Sequence, residues 1–391
     1  MTVRSALKAL AGQLRDLWLA FGVALVAFLL LEWAYVGQRA VRASVSGTDE
    51  ERLAQRTGHP YKGQAWFRQL VRERDGQRKR FDPWRTYWGS AVSGTYVRVD
   101  SAGRRRTVAP PAGAAPRWRV FMLGGSAMWG YTNRDSLTVP SLVAQSLHAQ
   151  GLTGVEVVNL AQPGYTIGQE LATLQIELTK GNVPSLAVFM NGINDIRSAL
   201  LFTEPGHVFF ETLLKRMYEV ESAQGVLGAL VTAGTRSALI SRILLAAGVS
   251  REWAEPPSPP GLCGDVAGYY RRVAGLADAA GRREGFDVLF LLQPIHSTSR
   301  KTLTPFEQSI IGNPRRNETI RACAMSIDSA MAPDRGRTYA SLSDVFDART
   351  ETVFLDGYGH ITEEASRLLS DRIAAAVSAR LRPSERDSAA R

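Results

Sequence analysis

The chain has 391 residues, enough for one large domain or two small ones with an adequate core. At 45% hydrophobic and 21% charged residues it reads as globular with a membrane contribution, which excludes a disordered chain. The net charge is +10, and 41 of the 47 basic residues are Arg. They are scattered, with no zinc-finger, RRM or KH pattern, so no nucleic-acid partner is expected; the charge suits anionic lipid or polysaccharide better.

In chain order, the first element is an apolar stretch. Residues 1–16 form a short tail, and 17–36 are long enough to span a bilayer core, with Trp18, Trp33 and Tyr35 near the ends, where amphipathic aromatics favour the interface. This predicts an uncleaved single-pass anchor. A cleaved signal peptide is the alternative, with Val41-Arg42-Ala43 as the peptidase site, although that site lies well beyond the apolar run. Basic residues flank the span on both sides, so charge does not set its orientation. The short N-terminal tail and the two cysteines favour an extracytoplasmic (periplasmic) catalytic domain.

Residues 37–117 are a membrane-proximal extension. Trp66-Phe67 and Leu70-Val71 predict a short amphipathic helix. The run Arg68, Arg72, Arg74, Arg78, Lys79, Arg80 is either a lipid-headgroup contact or a solvated helix face. Residues 83–107 suggest a small hairpin packed on the main domain, and 109–116, rich in Pro and Ala, a linker.

From 118 to 380 apolar strands alternate with amphipathic helices. Strands are predicted at 120–123, 155–159, 186–190, 288–292 and 338–342, and helices at 138–149, 167–180, 264–284, 316–331 and 363–381. This pattern predicts a mostly parallel sheet covered on both faces. Residues 197–260 interrupt it with apolar helical stretches at 209–220, 222–233 and 237–248. They are read as an insertion serving as a lid, a membrane contact, a subunit interface or plain packing. Residues 381–391 are a tail. Cys263 and Cys323 are either one disulfide or two buried thiols, and no Cys/His cluster suggests a metal.

Parallel sheets bind ligands beyond the carboxyl ends of their strands. The first strand runs into Gly124-Gly125-Ser126, where a tight turn can expose the hydroxyl; alone, this reads as a turn. The second leads to Gly164, whose backbone N–H is unshielded, and the third to Gly192-Ile193-Asn194-Asp195. The N–H groups of Ser126 and Gly164 and the amide of Asn194 make a candidate oxyanion hole. His360, just before the last helix, is the candidate base. Asp195 and His296 are candidate substrate contacts.

These ordered elements, Gly-Gly-Ser126 with Gly130, then Gly164, then Gly192-Ile-Asn194-Asp195, then His360, resemble the SGNH (GDSL-like) hydrolase family over about 118–380. The stretch Tyr96-Val97-Arg98-Val99-Asp100, with Arg104 to Thr107, looks like the leader of membrane-anchored bacterial members. The resemblance implies a three-layer α/β/α fold with a five-stranded parallel sheet (the flavodoxin-like SGNH fold), Ser126 as nucleophile, Gly164 and Asn194 as oxyanion donors, and His360 as base, with no cofactor. One position departs from the family: its acid stands three residues before the His, where this chain has Gly357. Asp356, four before, is the candidate third member; otherwise the site is a Ser-His dyad. The expected activity is hydrolysis of an acyl ester, on a cell-envelope glycan or a lipid. Acyl transfer to a polysaccharide by the same residues and a non-catalytic envelope scaffold are the alternatives. The acyl group and the oligomeric state are not legible.

Overall fold

The computed structural model describes residues 3–46, 50, 53–110, 116–209, 239 and 258–381. They fall into two compact units, one drawn from 1–52 and 212–254 and the other from 53–211 and 255–391. In the first, helix α1 runs from Val3 to Ser46. Within it Ala11–Gln38 is long and apolar enough to cross a membrane, a property shared by spans and signal sequences. The helix begins well before the predicted span and continues past it. Backbone hydrogen bonding does not stop where hydropathy does, because neither flank carries an interior Gly-Pro break. Of the insertion expected at 197–260, the helical stretches at 209–220, 222–233 and 237–248 lie almost wholly outside the described residues, as does the tail beyond 381.

The second unit opens with α2 (Ala65–Asp75), which buries Phe67, Leu70 and Val71 as its amphipathic pattern required. Two small antiparallel hairpins follow, β1 (Lys79–Asp82) with β2 (Thr86–Gly89), and β3 (Val92–Ser93) with β4 (Arg98–Val99). The expected single hairpin at 83–107 is therefore two. Part of the predicted linker, 111–115, lies outside the described residues.

The core then alternates: β5 (Trp118–Gly124), α3 (Ser126–Trp129), α4 (Val139–Ala149), β6 (Val155–Asn159), α5 (Ile167–Thr179), β7 (Leu186–Asn191), α6 (Ile193–Phe202), α7 (Leu262–Glu284), β8 (Asp287–Leu292), α8 (Pro305–Ile310), α9 (Pro314–Met331), β9 (Tyr339–Ser341) and α10 (Glu363–Leu381). The five strands β6-β5-β7-β8-β9 form one parallel sheet, with Val120 of β5 opposite Val157 of β6 and Leu186 of β7. Alternate residues face opposite sides. Val120, Met122, Val188 and Leu291 join α4 and α10 in one core, while Phe121, Phe189, Phe290 and Leu292 join α5, α7 and α9 in the other. This is the expected three-layer α/β/α fold. Cys263 and Cys323 form a disulfide between α7 and α9.

The outer segment 53–108 belongs to this unit by packing. Tyr87 of β2 donates to Pro163 O at 2.7 Å, and Gln169 donates to Arg85 O at 2.7 Å. Val97 and Val99 are buried in the core shared with α4 and α10.

Candidate active site

Strand β5 delivers the chain to Gly124 and Gly125, and Ser126 opens the single turn of α3. A Cβ on Gly125 would lie 2.3 Å from the Asn194 amide nitrogen, so only glycine lets that amide reach the turn. The Asn194 Nδ2 also donates to Tyr165 O at 2.8 Å. An amide has two N–H bonds, so this fixes its plane and leaves the second for the serine turn. The Gly164 loop is tied to the same strand end, with Gln162 N donating to Gly124 O at 3.1 Å, and Gly164 adopts a φ of 87°.

His360 arrives from the opposite side of the sheet's carboxyl end. Its Nε2 lies 2.7 Å from Ser126 Oγ, and its Nδ1 lies 2.5 Å from Asp356 Oδ2. The four-residue spacing works because the loop folds back on itself. Phe354 pairs with Ile361, and Leu355 N donates to His360 O at 2.8 Å, setting the two ends of the loop face to face. Gly359, at φ 82°, makes the return, and Asp356 Oδ1 accepts from Tyr358 N at 2.8 Å. Burial pushes the Asp356 carboxyl up, but the charge of His360 and the hydrogen bonds from its ring and from two backbone amides outweigh burial. The net effect is a value below the usual carboxylate range.

Several residues that hold this loop carried no sequence signal. Glu307 accepts from Val353 N and Phe354 N at 2.9 and 3.0 Å, and its other oxygen pairs with the buried Lys301 at 2.7 Å. On the serine side, the Arg105 side chain is fully buried. It donates to Asp135, Trp129 O, Gly130 O and Asn133 O, all on the turn that follows Ser126. Thr132 donates to Ile361 O at 2.9 Å, and Arg134 pairs with Glu363 at 2.6 Å, joining the serine turn to the histidine loop. Arg105 lies in the Arg104–Thr107 stretch set apart above by resemblance alone, and its burial shows the contacts that the stretch makes.

One expectation needs correction. Arg74 does not belong to a headgroup-facing run. It is buried, donates to Tyr131 O at 3.1 Å and lies 3.7 Å over the Tyr131 ring, because the helix face carrying Leu70 and Val71 also carries Arg74 inward. Asp195, a candidate substrate contact, is held by backbone amides. It is buried, one oxygen accepts from Ile167 N at 2.9 Å and the other from Gly192 N at 3.3 Å, and burial pushes its carboxyl up to about 7. His296 is also buried. Its Nε2 lies 3.2 Å from Asn317 Oδ1, and its Nδ1 is buried with no hydrogen-bond partner among the described residues. Among the described residues, no cluster of His, Cys, Asp and Glu is suited to a metal ion.

No family model matches the chain, and no curated protein matches it. Several solved structures are similar. The acetyl xylan esterase AlAXEase is 12% identical, covers 66% of this chain and 99% of its own, and has a TM-score of 0.39. The lipase Lip_vut3 from a goat rumen metagenome is 11% identical over 66% and 97%, with a TM-score of 0.39. The lipase/acylhydrolase from Enterococcus faecalis is 16% identical over 68% and 99%, with a TM-score of 0.36. None of these likenesses assigns a residue here. Ser126, His360 and Asp356 meet through the chain's own geometry.

Proposed function

We propose that the chain is a serine esterase that cleaves acyl esters through an acyl-Ser126 intermediate. The observation that carries this reading is the continuous Ser126–His360–Asp356 contact, 2.7 Å and then 2.5 Å, built from two distant segments. A serine hydroxyl is a weak nucleophile until a positioned base takes its proton. His360 Nε2 is within reach to do so. Asp356 on Nδ1 selects the tautomer that leaves Nε2 as acceptor and stabilises the imidazolium that follows.

Attack of Ser126 Oγ on the ester carbonyl moves the π electrons onto oxygen. The backbone N–H groups of Ser126 and Gly164 and the Asn194 amide are the donors assigned to that oxyanion. Such a donor contributes about 3 kcal/mol to acyl transfer. Collapse breaks the ester C–O bond, and His360 returns its proton to the departing alcohol. Water then repeats the sequence and frees Ser126. The substrate class is an acyl ester on a cell-envelope glycan or a lipid, in keeping with the basic charge and the apolar α1.

The test is labelling of the purified full chain with a serine-reactive fluorophosphonate, alongside turnover of a small acetyl ester. Wild type labels and turns over, while Ser126→Ala and His360→Ala do neither. Labelling that persists in Ser126→Ala overturns the assignment.

A further inference from the structure

The β1–β2 hairpin carries an apolar feature that the site does not use. Trp84, in the turn, is 78% exposed, and Phe81, on the same hairpin, is 57% exposed. Outside α1, Trp84 is the most exposed large apolar side chain among the described residues. Isolated exposed apolar residues such as Val183 or Leu276 are ordinary, but two large aromatics three residues apart on one projecting hairpin are not.

The turn is held in shape. Asp82 Oδ1 accepts from Trp84 N at 3.1 Å and Arg85 N at 2.9 Å, and Asp82 Oδ2 pairs with Arg85 at 2.6 Å. That ion pair neutralises the acid of the turn. What remains on strand β1 and just before it is Arg78 and Arg80, both exposed and both basic, while the Lys79 ammonium lies 4.3 Å over the Tyr87 ring. Phe81 and Trp84 thus project beside a cluster of positive charge. Amphipathic aromatics settle at the headgroup level of a bilayer, and basic side chains are drawn to anionic lipid over about a Debye length.

We propose that this hairpin docks on a bilayer surface containing anionic lipid, with Phe81 and Trp84 in the headgroup region and Arg78 and Arg80 against the phosphates. Charge complementarity selects this occupant over a second copy of the chain, whose corresponding tip carries the same positive charge. The hairpin's inner face lies on the loop that carries Gly164. Tyr87 donates to Pro163 O, and Gly89 N donates to the Gln162 side chain at 3.2 Å. Docking therefore brings the Gly164 side of the site to the surface. The proposal does not depend on the esterase reading, since its readout involves no turnover.

The experiment uses the full chain in lipid nanodiscs of phosphatidylcholine with phosphatidylglycerol, part of the lipid brominated high on the acyl chain. The Trp84 contribution is wild-type emission minus that of Trp84→Phe, which removes the constant signal of the other seven tryptophans. The expected result is quenching of that contribution by about two-fold or more. The quenching falls sharply in phosphatidylcholine alone and in Arg78→Gln/Arg80→Gln. An unquenched Trp84 contribution overturns the proposal, as does a chain that stays off the discs or quenching indifferent to lipid charge. Shielding of Trp84 from aqueous iodide without quenching by brominated lipid identifies a protein partner or a second copy instead, and also overturns it.

Discussion

Tyr131 lies flat on the imidazole of His360, with ring centroids 4.5 Å apart and planes 19° apart. Behind it the Arg74 guanidinium covers the other part of the stack, 3.7 Å from the Tyr131 centroid. The residue that orders the candidate base from one side therefore comes from the serine turn, and its support comes from α2 in the outer segment. Tyr131→Leu is expected to lower kcat about ten-fold while KM changes little, and Tyr131→Phe to retain most activity, because the flat face and not the hydroxyl meets the imidazole. Steady-state kinetics on a small acetyl ester separates the two; equal losses in both variants would refute the stacking role.

Asp356 holds Nδ1 of His360 at 2.5 Å. Asp356→Asn keeps the loop's shape but presents an amide to Nδ1 and favours the wrong tautomer. The expected loss in kcat is on the order of 10²–10⁴, with a native circular dichroism spectrum. Activity within a factor of two of wild type would reduce the site to a Ser-His dyad.

Arg105 supplies a planar fork to four carbonyls and Asp135 at a fully buried position. Arg105→Lys cannot reproduce the fork, and Arg105→Ala leaves those acceptors and a buried carboxylate unpaired. Both are expected to destabilise, the alanine variant by roughly 3–5 kcal/mol, and both to slow fluorophosphonate labelling. Denaturant midpoints together with labelling rates check this.

Asp195 gives a pH signature. Its carboxyl is pushed up to about 7 by burial, so the native state holds a proton that the unfolded chain releases near the ordinary carboxylate value. Its contribution to stability is full below that ordinary value and is lost as pH rises to about 7. Asp195→Asn is expected to flatten the fall in stability across this window. Thermal melts of both proteins at a series of pH values provide the measurement, and parallel profiles would count against it.

The Cys263–Cys323 disulfide joins α7 and α9 across a sequence separation of 60. Closing a loop of that length restricts the unfolded chain, so the paired Cys→Ala variant is expected to lose about 2–4 kcal/mol. Melting with and without reductant should reproduce that loss in wild type and leave the variant unaffected.

Much of the framework is local and was legible without coordinates. The runs Val120–Leu123, Leu186–Met190 and Val288–Leu292 are apolar on both faces because the sheet is covered on both faces, and α10 occupies the predicted 363–381. Gly-Gly-Ser126, Gly164, Asn194 and His360 could be singled out because each follows its own strand, and a parallel sheet places those ends together. Other relationships exist only in three dimensions. Whether Asp356 reaches His360 depends on a backbone loop closed between Phe354 and Ile361, which residue spacing cannot express. Arg74 reads as surface charge by composition, yet tertiary packing buries it on Tyr131, and it buries Arg105 among the carbonyls after Ser126. Asp195, placed by its motif among the site residues, is held by two backbone amides. A strand or helix is encoded by periodicity along a few turns of chain. A buried charge is set by which distant carbonyls and rings close around it, and that is decided only when segments far apart in the chain are brought into contact.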